Sequence, residues 1–292
     1  MNLKDLANSD ATELMAHMVS GEASDAQIAA ALTALRCKGA TASELAAFAQ
    51  ILRERVLEID VNQPTLVDTC GTGGGIPSFN ISTAAALVAA AAGAKVAKHG
   101  NRAVTSSCGS ADVLEALGVR LGEDPQKLLH QIETIGIIFL FAPAHHPVMK
   151  FVGSVRKSLG FRTVFNQLGP LANPAGARRQ IVGVFDQSLC RPMAEALNLL
   201  DAQRAMVVHG SDGLDEISPC GPTHTCTVEG GMVQERTLTS ADFGLEPLPA
   251  GAIAPGDSLE ENARILTEAI SDVNSLRSQA IVPSAAAAIW LA

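Results

Sequence analysis

Hydrophobic positions in the first 60 residues recur at helical spacing and are separated by polar runs. In residues 45–56 the apolar side chains lie three or four positions apart. Acidic or hydroxyl residues precede the runs, with Glu or Gln three positions later, at Asp10 and Glu13, Ser24 and Gln27, and Thr41 and Glu44. This spacing is typical of a capping box, so the segment is predicted to form a small antiparallel unit of three helices.

The pattern changes after residue 65, where short apolar runs alternate with amphipathic stretches. The apolar runs predict strands at 66–68, 94–97 and 137–141, and the intervening stretches predict helices at 83–92, 112–117 and 125–135. Alternation of this kind is typical of a parallel sheet covered by helices.

Residues 144–171 interrupt the alternation. A helical pattern at 146–159 is followed by a rigid loop, FNQLGPLANP, at 165–174. Strands are predicted again at 181–185 and 205–209, and a hairpin is predicted around Gly230 and Gly231. We therefore predict an α/β fold with two domains. A small all-helical domain comprises residues 1–63 and 144–171, and a large α/β domain with a mostly parallel central sheet comprises residues 64–143 and 172–292.

Composition narrows the classes of partner. The net charge is −9, which argues against a nucleic-acid surface and against an anionic membrane surface. The N-terminus lacks the apolar segment of a signal peptide, and the most apolar run, residues 81–94, is short for a membrane span. None of the six cysteines has CxxC spacing, so they are predicted to be small core residues. We expect a cytoplasmic protein without nucleic-acid or membrane partners.

A glycine-rich turn follows the first predicted strand of the sheet. Four of the five residues at 71–75 are glycines, and a helix start with Asn80, Ser82 and Thr83 comes soon after. Glycine lets backbone N–H groups approach an anion closely, and helix N-termini bind phosphate. The turn matches neither a Walker A loop nor GxGxxG, and a tight turn without a ligand is the alternative interpretation. The adjacent helix start favours phosphate binding.

A short basic segment, KHGNR at 98–102, follows the next predicted strand. Loops at the carboxyl ends of parallel strands form the ligand sites of α/β proteins. The flanking residues are apolar and small, so a buried anion site is favoured over a solvated surface. Lys98 is suited to bind phosphate as a point charge. For His99, a structural hydrogen bond is at least as plausible as catalysis.

Three further groups carry candidate chemistry. Asp215 and Glu216 follow the predicted strand at 205–209, where two carboxylates suit Mg²⁺ bound together with substrate phosphates. Arg156 lies on the predicted helix of the interruption, and a guanidinium can hold a carboxylate in a bidentate fork. A surface role is the alternative for each. His145 and His146 have no second ligand cluster at metal spacing, so a structural role is favoured.

Six segments together resemble the anthranilate phosphoribosyltransferases, a family of the nucleoside phosphorylase-like phosphoribosyltransferase type. The segments occur in order as DTCGTGG, SFNIST, VAKHGNR, CGSADVLEALG, FNQLGPLANP and DGLDEIS. The likeness covers essentially the whole chain, and KHGNR with GTGG and NIST separates it from the related pyrimidine nucleoside phosphorylases. The resemblance implies a small helical domain, a large α/β domain and a homodimer formed through the helical domain.

The resemblance also implies a reaction and its site residues. Phosphoribosyl pyrophosphate and anthranilate would give N-(5-phosphoribosyl)anthranilate and pyrophosphate, a step of tryptophan biosynthesis, with Mg²⁺ as cofactor. Anthranilate would contact Gly71, Asn101 and Arg156, and Mg²⁺ would be held by Ser82, Asp215 and Glu216. His99 is the one candidate catalytic residue, and no strong general base is expected. Phosphoribosyl pyrophosphate would be bound by Gly71, Gly74, Gly75, Ser78, Asn80, Ile81, Ser82, Thr83, Lys98, His99, Gly100, Asn101, Arg102, Ser106 and Ser110.

Two departures from the family pattern modify these expectations. The family usually has Asp where Gly75 stands, in a loop that is often one residue longer, so altered Mg²⁺ binding is expected here. The family also continues beyond the equivalent of Ala292, which predicts exposed apolar surface at Ile289, Trp290 and Leu291. Two alternative functions remain open: a related transferase or phosphorylase with another nucleophile, and a non-catalytic binding protein on the same fold.

Overall fold

A computed structural model describes residues 3–103 and 108–292 of the chain. The chain begins with three helices, α1 (Asn8–Met18), α2 (Asp25–Lys38) and α3 (Ala42–Arg53). The predicted capping boxes at Ser24 and Thr41 are both formed. The predicted box at Asp10 is wrong. Asp10 lies inside the first turn of α1, and the N-cap residue, Ala7, has no side chain that can accept a hydrogen bond.

The centre of the molecule is a seven-stranded sheet in the order β3-β2-β1-β4-β5-β6-β7. Strands β1 to β5 are parallel, and β6 and β7 form the predicted antiparallel hairpin at one edge. The predicted mostly parallel sheet is therefore confirmed. The strands are β1 (Val67–Asp68), β2 (Val96–Gly100), β3 (Ile137–Phe141), β4 (Arg179–Gly183), β5 (Arg204–Gly210), β6 (Thr223–Glu229) and β7 (Met232–Leu238).

Helices cover both faces of this sheet. The alanine-rich α4 packs against α12, and α10 packs against α3 and against the hairpin. The predicted helix at 146–159 is shorter than expected, because a 3-10 turn at Pro147–Met149 precedes α8. The remaining helices are α4 (Ile81–Ala91), α5 (Ser110–Ala116), α6 (Pro125–Thr134), α7 (Ala142–His145), α8 (Lys150–Leu159), α9 (Phe165–Leu168), α10 (Cys190–Leu199), α11 (Leu259–Ser271) and α12 (Leu276–Leu291).

Strand β2 lies further along the chain than the sequence pattern predicts. The predicted strand ended at residue 97, but the ladder with β3 continues to Gly100, which pairs with Phe141. Lys98, His99 and Gly100 are therefore strand residues, and KHGNR does not simply follow the strand. Because successive side chains of a strand point to opposite faces of a sheet, Lys98 and His99 lie on different sides of β2.

One hydrophobic core joins the N-terminal helices to the sheet. It contains Met15 and Phe48 of the first helices, Val152 of α8, and Val182 and Val207 of the sheet. Helix α8 packs on α2, although more than a hundred residues separate them. This packing supports the proposed discontinuous helical domain of residues 1–63 and 144–171.

The last helix differs from the expectation at one residue. Ile289 and Trp290 are exposed, but Leu291 is completely buried against residues of the sheet and of α4. Its burial arises because Leu291 lies on the face of α12 that packs on the sheet. Among the residues that the structure describes, no helix is both long enough and apolar enough to cross a bilayer.

Candidate active site

The candidate site lies at the carboxyl ends of the central parallel strands. The glycine-rich loop follows β1, Asn101 and Arg102 follow β2, and the loop with the two acidic residues follows β5. Adjacent strands bring these three segments together, as the parallel topology predicts.

The glycines of the loop are required by close packing as well as by backbone conformation. Gly73 and Gly74 have positive φ values of 66° and 90°. The N–H of Thr72 donates to the Gly183 carbonyl oxygen at 2.8 Å, and that of Ile76 donates to the Gly213 carbonyl oxygen at 3.0 Å. The loop therefore rests directly on the last residue of β4 and on the loop that follows β5.

Gly75 makes the closest of these approaches to the acidic loop. A Cβ atom at this position would lie 2.6 Å from both the backbone nitrogen and the Oδ1 atom of Asp215, and 2.8 Å from the carbonyl oxygen of Gly213. No side chain fits without movement of backbone. The loop in its present form therefore has no room for the aspartate that the family resemblance implies at this position.

Arg162 holds the glycine-rich loop from the other side, a role that the sequence analysis missed. Its Nη2 atom donates to the Gly74 carbonyl oxygen at 2.6 Å, and its guanidinium lies 4.5 Å from the ring centroid of Phe185. Only the spacing RKSLGFR, which places a second arginine six residues after Arg156, offered a signal in the sequence.

The predicted metal ligands lie close together. The backbone N–H of Ser82, in the first turn of α4, donates to Glu216 Oε1 at 3.1 Å. Burial, followed by the nearby charge of Asp215, raises the pKa of Glu216 to about 7. Burial also raises the pKa of Asp215. Two carboxylates without enough counter-charge are suited to a divalent cation.

Polar atoms beside this pair support the fit. Asn80 Oδ1 and Thr83 Oγ1 are buried and have no hydrogen-bond partner among the described residues. Oxygen atoms of this kind suit Mg²⁺, its bound waters or a phosphate. Asn80 does not cap α4 with its side chain, because its Nδ2 atom donates to the Cys108 carbonyl oxygen at 3.1 Å.

Lys98 is a buried cation and not a surface residue. Its ammonium donates to the carbonyl oxygen and Oγ1 of Thr69, at 3.2 and 3.0 Å, and to Ser82 Oγ at 3.3 Å. Burial lowers the pKa of Lys98, whereas the charges of Asp68 and Glu216 raise it. The side chain therefore points toward the metal ligands and the start of α4.

His99 points to the other side of the strand. Its Nδ1 atom lies 3.2 Å from the Gly169 carbonyl oxygen, and its ring centroid lies 5.0 Å from that of His146. Burial, followed by the neighbouring His146, lowers the pKa of His99 to about 3. The ring is therefore neutral at pH 7, and Nδ1 carries the proton if it bonds to the carbonyl.

His99, Asn101 and Arg156 line one cavity of about 510 Å³ between the helical unit and the sheet. Gly71, the other residue implied for anthranilate, does not line it and instead packs on Gly183. The cavity wall is mostly apolar, which suits an aromatic ring. Its other lining residues are Leu52, Ala142, Pro143, His146, Pro147, Met149, Lys150, Phe165, Leu168, Gly169 and Ala172.

Arg156 is the principal charged group facing this cavity. Its guanidinium lies 5.3 Å from the ring centroid of Phe165. Burial lowers the pKa of Arg156, yet arginine remains charged at any physiological pH. Within residues 3–103 and 108–292 no carboxylate forms an ion pair with it. A half-buried cation without an ion-pair partner among these residues is suited to an anionic ligand.

Several implied ligands have other partners in the structure. Arg102 forms ion pairs with Asp112 at 3.2 Å and Glu115 at 2.7 Å, so its side chain lies along α5. Ser110 Oγ donates to the Asn101 carbonyl oxygen at 3.4 Å. The Ile81 side chain is completely buried, which leaves only its backbone for a ligand. Ser78 is half-buried and Ser106 lies outside the described residues.

A buried network around Asp68 fixes the floor of the site, and the sequence analysis missed it. Asp68 Oδ1 accepts a hydrogen bond from the His99 N–H at 3.1 Å, and Oδ2 accepts one from Asn173 Nδ2 at 2.7 Å. Asn173 also donates to the Ala97 carbonyl oxygen. Burial raises the pKa of Asp68 to about 6, although the Asn173 hydrogen bond and the charge of Lys98 oppose the rise.

The structure combines a helical unit with a mostly parallel sheet. The glycine-rich loop, the carboxylates of Asp215 and Glu216, and the cavity lined by Arg156 lie where the two meet. This combination defines a two-domain glycosyl transferase. Family models agree: residues 1–56 match the helical bundle domain of a glycosyl transferase family, and residues 63–292 match its a/b domain. The chain belongs to the anthranilate phosphoribosyltransferase family, as the comparisons with its members show.

Relatives and solved structures support the assignment to this family. The enzyme of Methanocorpusculum labreanum is 49% identical over 98% of this chain and 84% of its own length. The crystal structure of the Thermus thermophilus enzyme matches with a TM-score of 0.91 and 42% identity, covering 99% of this chain and 87% of that one. The Saccharomyces cerevisiae enzyme in complex with PRPP and Mg matches with a TM-score of 0.85 and 30% identity, covering 98% and 84%.

Proposed function

We propose that this protein transfers the phosphoribosyl group from phosphoribosyl pyrophosphate to anthranilate, giving N-(5-phosphoribosyl)anthranilate and pyrophosphate in tryptophan biosynthesis. The observation that carries the proposal is the mostly apolar cavity that contains Arg156, a half-buried cation with no ion-pair partner among the described residues. The same segment of chain carries Arg162, which bonds to the glycine-rich loop. Its shape and charge match an aromatic carboxylate. Membership of the family and the relatives' PRPP and Mg complex support the second substrate.

At the anthranilate site, the protein would act by positioning the substrate. Arg156 would hold the substrate carboxylate in a bidentate fork, with the ring against the apolar wall that includes Phe165. Asn101, on the opposite wall, would orient the amine toward the sugar. An aromatic amine is neutral near pH 7, so it needs orientation more than deprotonation. The low pKa of His99, about 3, agrees with a hydrogen-bonding role and disfavours a general base.

At the phosphoribosyl pyrophosphate site, the protein would act by neutralising the negative charge of the phosphates. The backbone N–H groups of the glycine-rich loop and the buried Lys98 would stabilise the negative charge that develops on pyrophosphate as it leaves. Ser82, Asp215 and Glu216 would hold Mg²⁺, which when bound neutralises phosphate charge. The bond to C1 of the ribose would break through an oxocarbenium-like transition state.

The other residues implied for phosphoribosyl pyrophosphate remain proposals. Those with backbone or side-chain atoms near the loop and the start of α4 are the better supported. Arg102, which is held by α5, is less well supported because its charge is already offset. The better-supported residues are Gly71, Gly74, Gly75, Ser78, Asn80, Ile81, Ser82, Thr83 and Lys98. His99, Gly100, Asn101 and Ser110 rest on the family resemblance alone.

We also propose a homodimer and a reducing, cytoplasmic location. The exposed face of α2 and Leu3 form a shallow apolar groove of about 410 Å³, which supports association through the helical unit. Residues Leu3, Ala29, Ala30, Thr33, Ala34 and Cys37 line the groove. All six cysteines of the chain lie in its described part and are free thiols, which supports a reducing compartment.

Loss of anthranilate fluorescence on addition of phosphoribosyl pyrophosphate and Mg²⁺ tests the activity. The unmodified protein is expected to turn over, and Arg156→Ala should raise the KM for anthranilate by about 10- to 100-fold, because a charge-assisted hydrogen bond is worth roughly 1.5–3 kcal/mol. Lys157→Ala, an exposed neighbour on the same helix, is the matched control and should leave KM unchanged.

Two results would contradict the proposal. Absence of turnover by well-folded protein would refute the activity, and an unchanged KM in Arg156→Ala would refute the position of the anthranilate site. Assays with other aromatic amines and with nucleosides separate the proposed reaction from a related transferase or phosphorylase. Equal or faster turnover of one of them would favour that alternative.

A further inference from the structure

A second cluster of ligand-type side chains lies on the β6–β7 hairpin, at the far edge of the sheet. His224 and Cys226 are two residues apart on β6 and therefore share one face of the sheet. Glu235 stands directly opposite Cys226 on β7. Helix α10 packs on the hairpin, and Arg191 of this helix forms an ion pair with Glu235.

The atoms of this cluster have the separations that a tetrahedral metal ion requires. Cys226 Sγ lies 3.7 Å from His224 Nε2, which lies 3.9 Å from Glu235 Oε2. All three ligand atoms lie within 4.8 Å of one another. Ligands at about 2.0–2.3 Å from a tetrahedral zinc ion are roughly 3.4–3.8 Å apart. Small side-chain rotations would bring the three atoms onto one ion.

The charges around the cluster also favour a cation. Glu235 Oε1 pairs with Arg191 Nη1, which orients the carboxylate and leaves Oε2 facing His224. Bound as a thiolate, Cys226 would add one negative charge to that of Glu235, and a divalent ion would neutralise the two.

We propose that His224, Cys226 and Glu235 form a three-residue binding site for a thiophilic divalent cation of the zinc type. Sulfur and imidazole ligands select such ions, whereas the all-oxygen site at Ser82, Asp215 and Glu216 suits Mg²⁺. The two sites therefore differ in ligand chemistry as well as in position. The Cys226 thiol is buried, and the partly exposed His224 and the exposed Glu235 leave the cluster open to solvent.

The bound ion would act as a structural link and not as a reactant. Strand β7 is the edge of the sheet, and most of its side chains are exposed. An ion coordinated from β6 and β7 would hold the two strands of the hairpin together at this edge. It does not depend on the identity of the substrates.

Cobalt titration of the full-length reduced protein tests the site. We expect one Co²⁺ ion per chain, with the near-ultraviolet charge-transfer band of thiolate ligation, displaced by Zn²⁺. Zn²⁺ at about 100 times its dissociation constant should raise Tm by about 5 °C. Cys226→Ala and the more conservative His224→Gln should each abolish the band and the Tm rise. Cys37→Ala, which removes an exposed thiol elsewhere, should retain both.

Several outcomes would overturn the proposal. It fails if the reduced protein binds no Co²⁺, if the thiolate band survives in Cys226→Ala, or if it disappears in Cys37→Ala. Because the site is remote from the reacting groups, Mg²⁺-dependent turnover should persist in His224→Gln. A failed transferase assay of the unmodified protein would therefore refute the proposed function without changing the metal-binding result.

Discussion

Burial decides which charged residues of the site can exchange protons near neutral pH. Asp68 is a fully buried carboxylate and Glu216 a partly buried one, and their pKa values rise to about 6 and about 7, whereas burial lowers the pKa of His99 to about 3. The residue that looks most like a base in the sequence is therefore neutral and weakly basic. The groups that titrate near neutral pH are instead the carboxylates of Asp68 and Glu216.

The raised pKa of Glu216 predicts a pH-dependent metal site. Mg²⁺ binds the ionised carboxylate, so protons compete with the metal below a pH of about 7. We expect about tenfold weaker metal binding at pH 6 than at pH 8, since each pH unit below the pKa removes about tenfold of the ionised form. Electron paramagnetic resonance of Mn²⁺ added to substrate-free protein measures this directly.

Glu216→Gln provides the control for this titration. It should bind Mn²⁺ weakly at both pH values, because the titrating group is gone. Equal Mn²⁺ affinity of the unmodified protein at pH 6 and pH 8 would show that Glu216 is not a ligand or does not titrate in this range.

Gly75 is a second residue whose role follows from its contacts. Gly75→Ala should destabilise the protein by about 1–3 kcal/mol, because the new methyl group would press against the Asp215 backbone. The displaced Asp215 should also raise the Mg²⁺ concentration needed for half-maximal turnover. Thermal unfolding and Mg²⁺ titration of the rate measure the two effects.

Gly153→Ala is the matched control, because a Cβ atom there meets nothing within 4 Å and the residue lies in helix α8. It should leave stability equal or slightly higher, since alanine favours helix. If Gly75→Ala had no effect on either stability or Mg²⁺ requirement, the close packing of the two loops would not govern the metal site.

At the scale of elements, the segment that starts with α8 serves both proposed substrate sites. Arg156 in the helix lines the cavity, and Arg162, three residues after the helix ends, bonds to the glycine-rich loop. The helix ends at Gly160, which has a left-handed φ of 67° and turns the chain toward the loop. One rigid segment therefore positions the groups that face each substrate.

This arrangement predicts a selective effect of Arg162→Ala. Loss of the hydrogen bond to the Gly74 carbonyl should loosen the glycine-rich loop. The KM for phosphoribosyl pyrophosphate should then rise by about 5- to 50-fold, the equivalent of roughly 1–2.3 kcal/mol. The KM for anthranilate should change little, because Arg156 remains in place. Steady-state kinetics with each substrate varied in turn give the two values.

Arg162→Lys tests whether the bond itself matters. Lysine can still donate to the carbonyl, so it should restore part of the lost affinity, although it lacks the planar contact with Phe185. A merely structural role would instead lower Tm and affect both substrates alike. Equal increases in both KM values would therefore contradict the proposed role.

At the scale of the whole molecule, the helical unit and the sheet share their largest hydrophobic core. Arg53, at the end of α3, reinforces it by donating to the Leu171 carbonyl oxygen at 2.7 Å and the Leu200 carbonyl oxygen at 3.3 Å. The other face of the unit, along α2, is exposed and lined by small side chains. That face is the surface we assign to the proposed homodimer.

The homodimer predicts the effect of one surface charge. Ala30→Glu, on the exposed face of α2, should shift the protein from dimer to monomer, because it buries like charges at the symmetric contact. Sedimentation velocity measures the mass. Val273→Glu, at a residue that is 80% exposed on another surface, is the control and should remain dimeric. A monomeric unmodified protein, or a dimeric Ala30→Glu, would refute this surface.

Local sequence was sufficient for much of the fold. The capping boxes at Ser24 and Thr41, the hairpin at Gly230 and Gly231, and the strand and helix alternation depend on residues close in the chain, so a pattern reveals them. Asp10 shows the limit of this approach. Its spacing suits a cap, but the helix begins earlier, and packing of α1 on α3 acts over distances that a local pattern does not contain.

The sequence by itself therefore determined the family, the fold class and the kinds of residue at the site. Only the tertiary structure decided how those residues are used. It placed Lys98 and His99 on opposite faces of β2, Gly75 against Asp215, and Arg162 against the glycine-rich loop. These relations join segments that are up to about 140 residues apart in the chain. Burial, pKa and close contact arise only when the sheet brings such segments together.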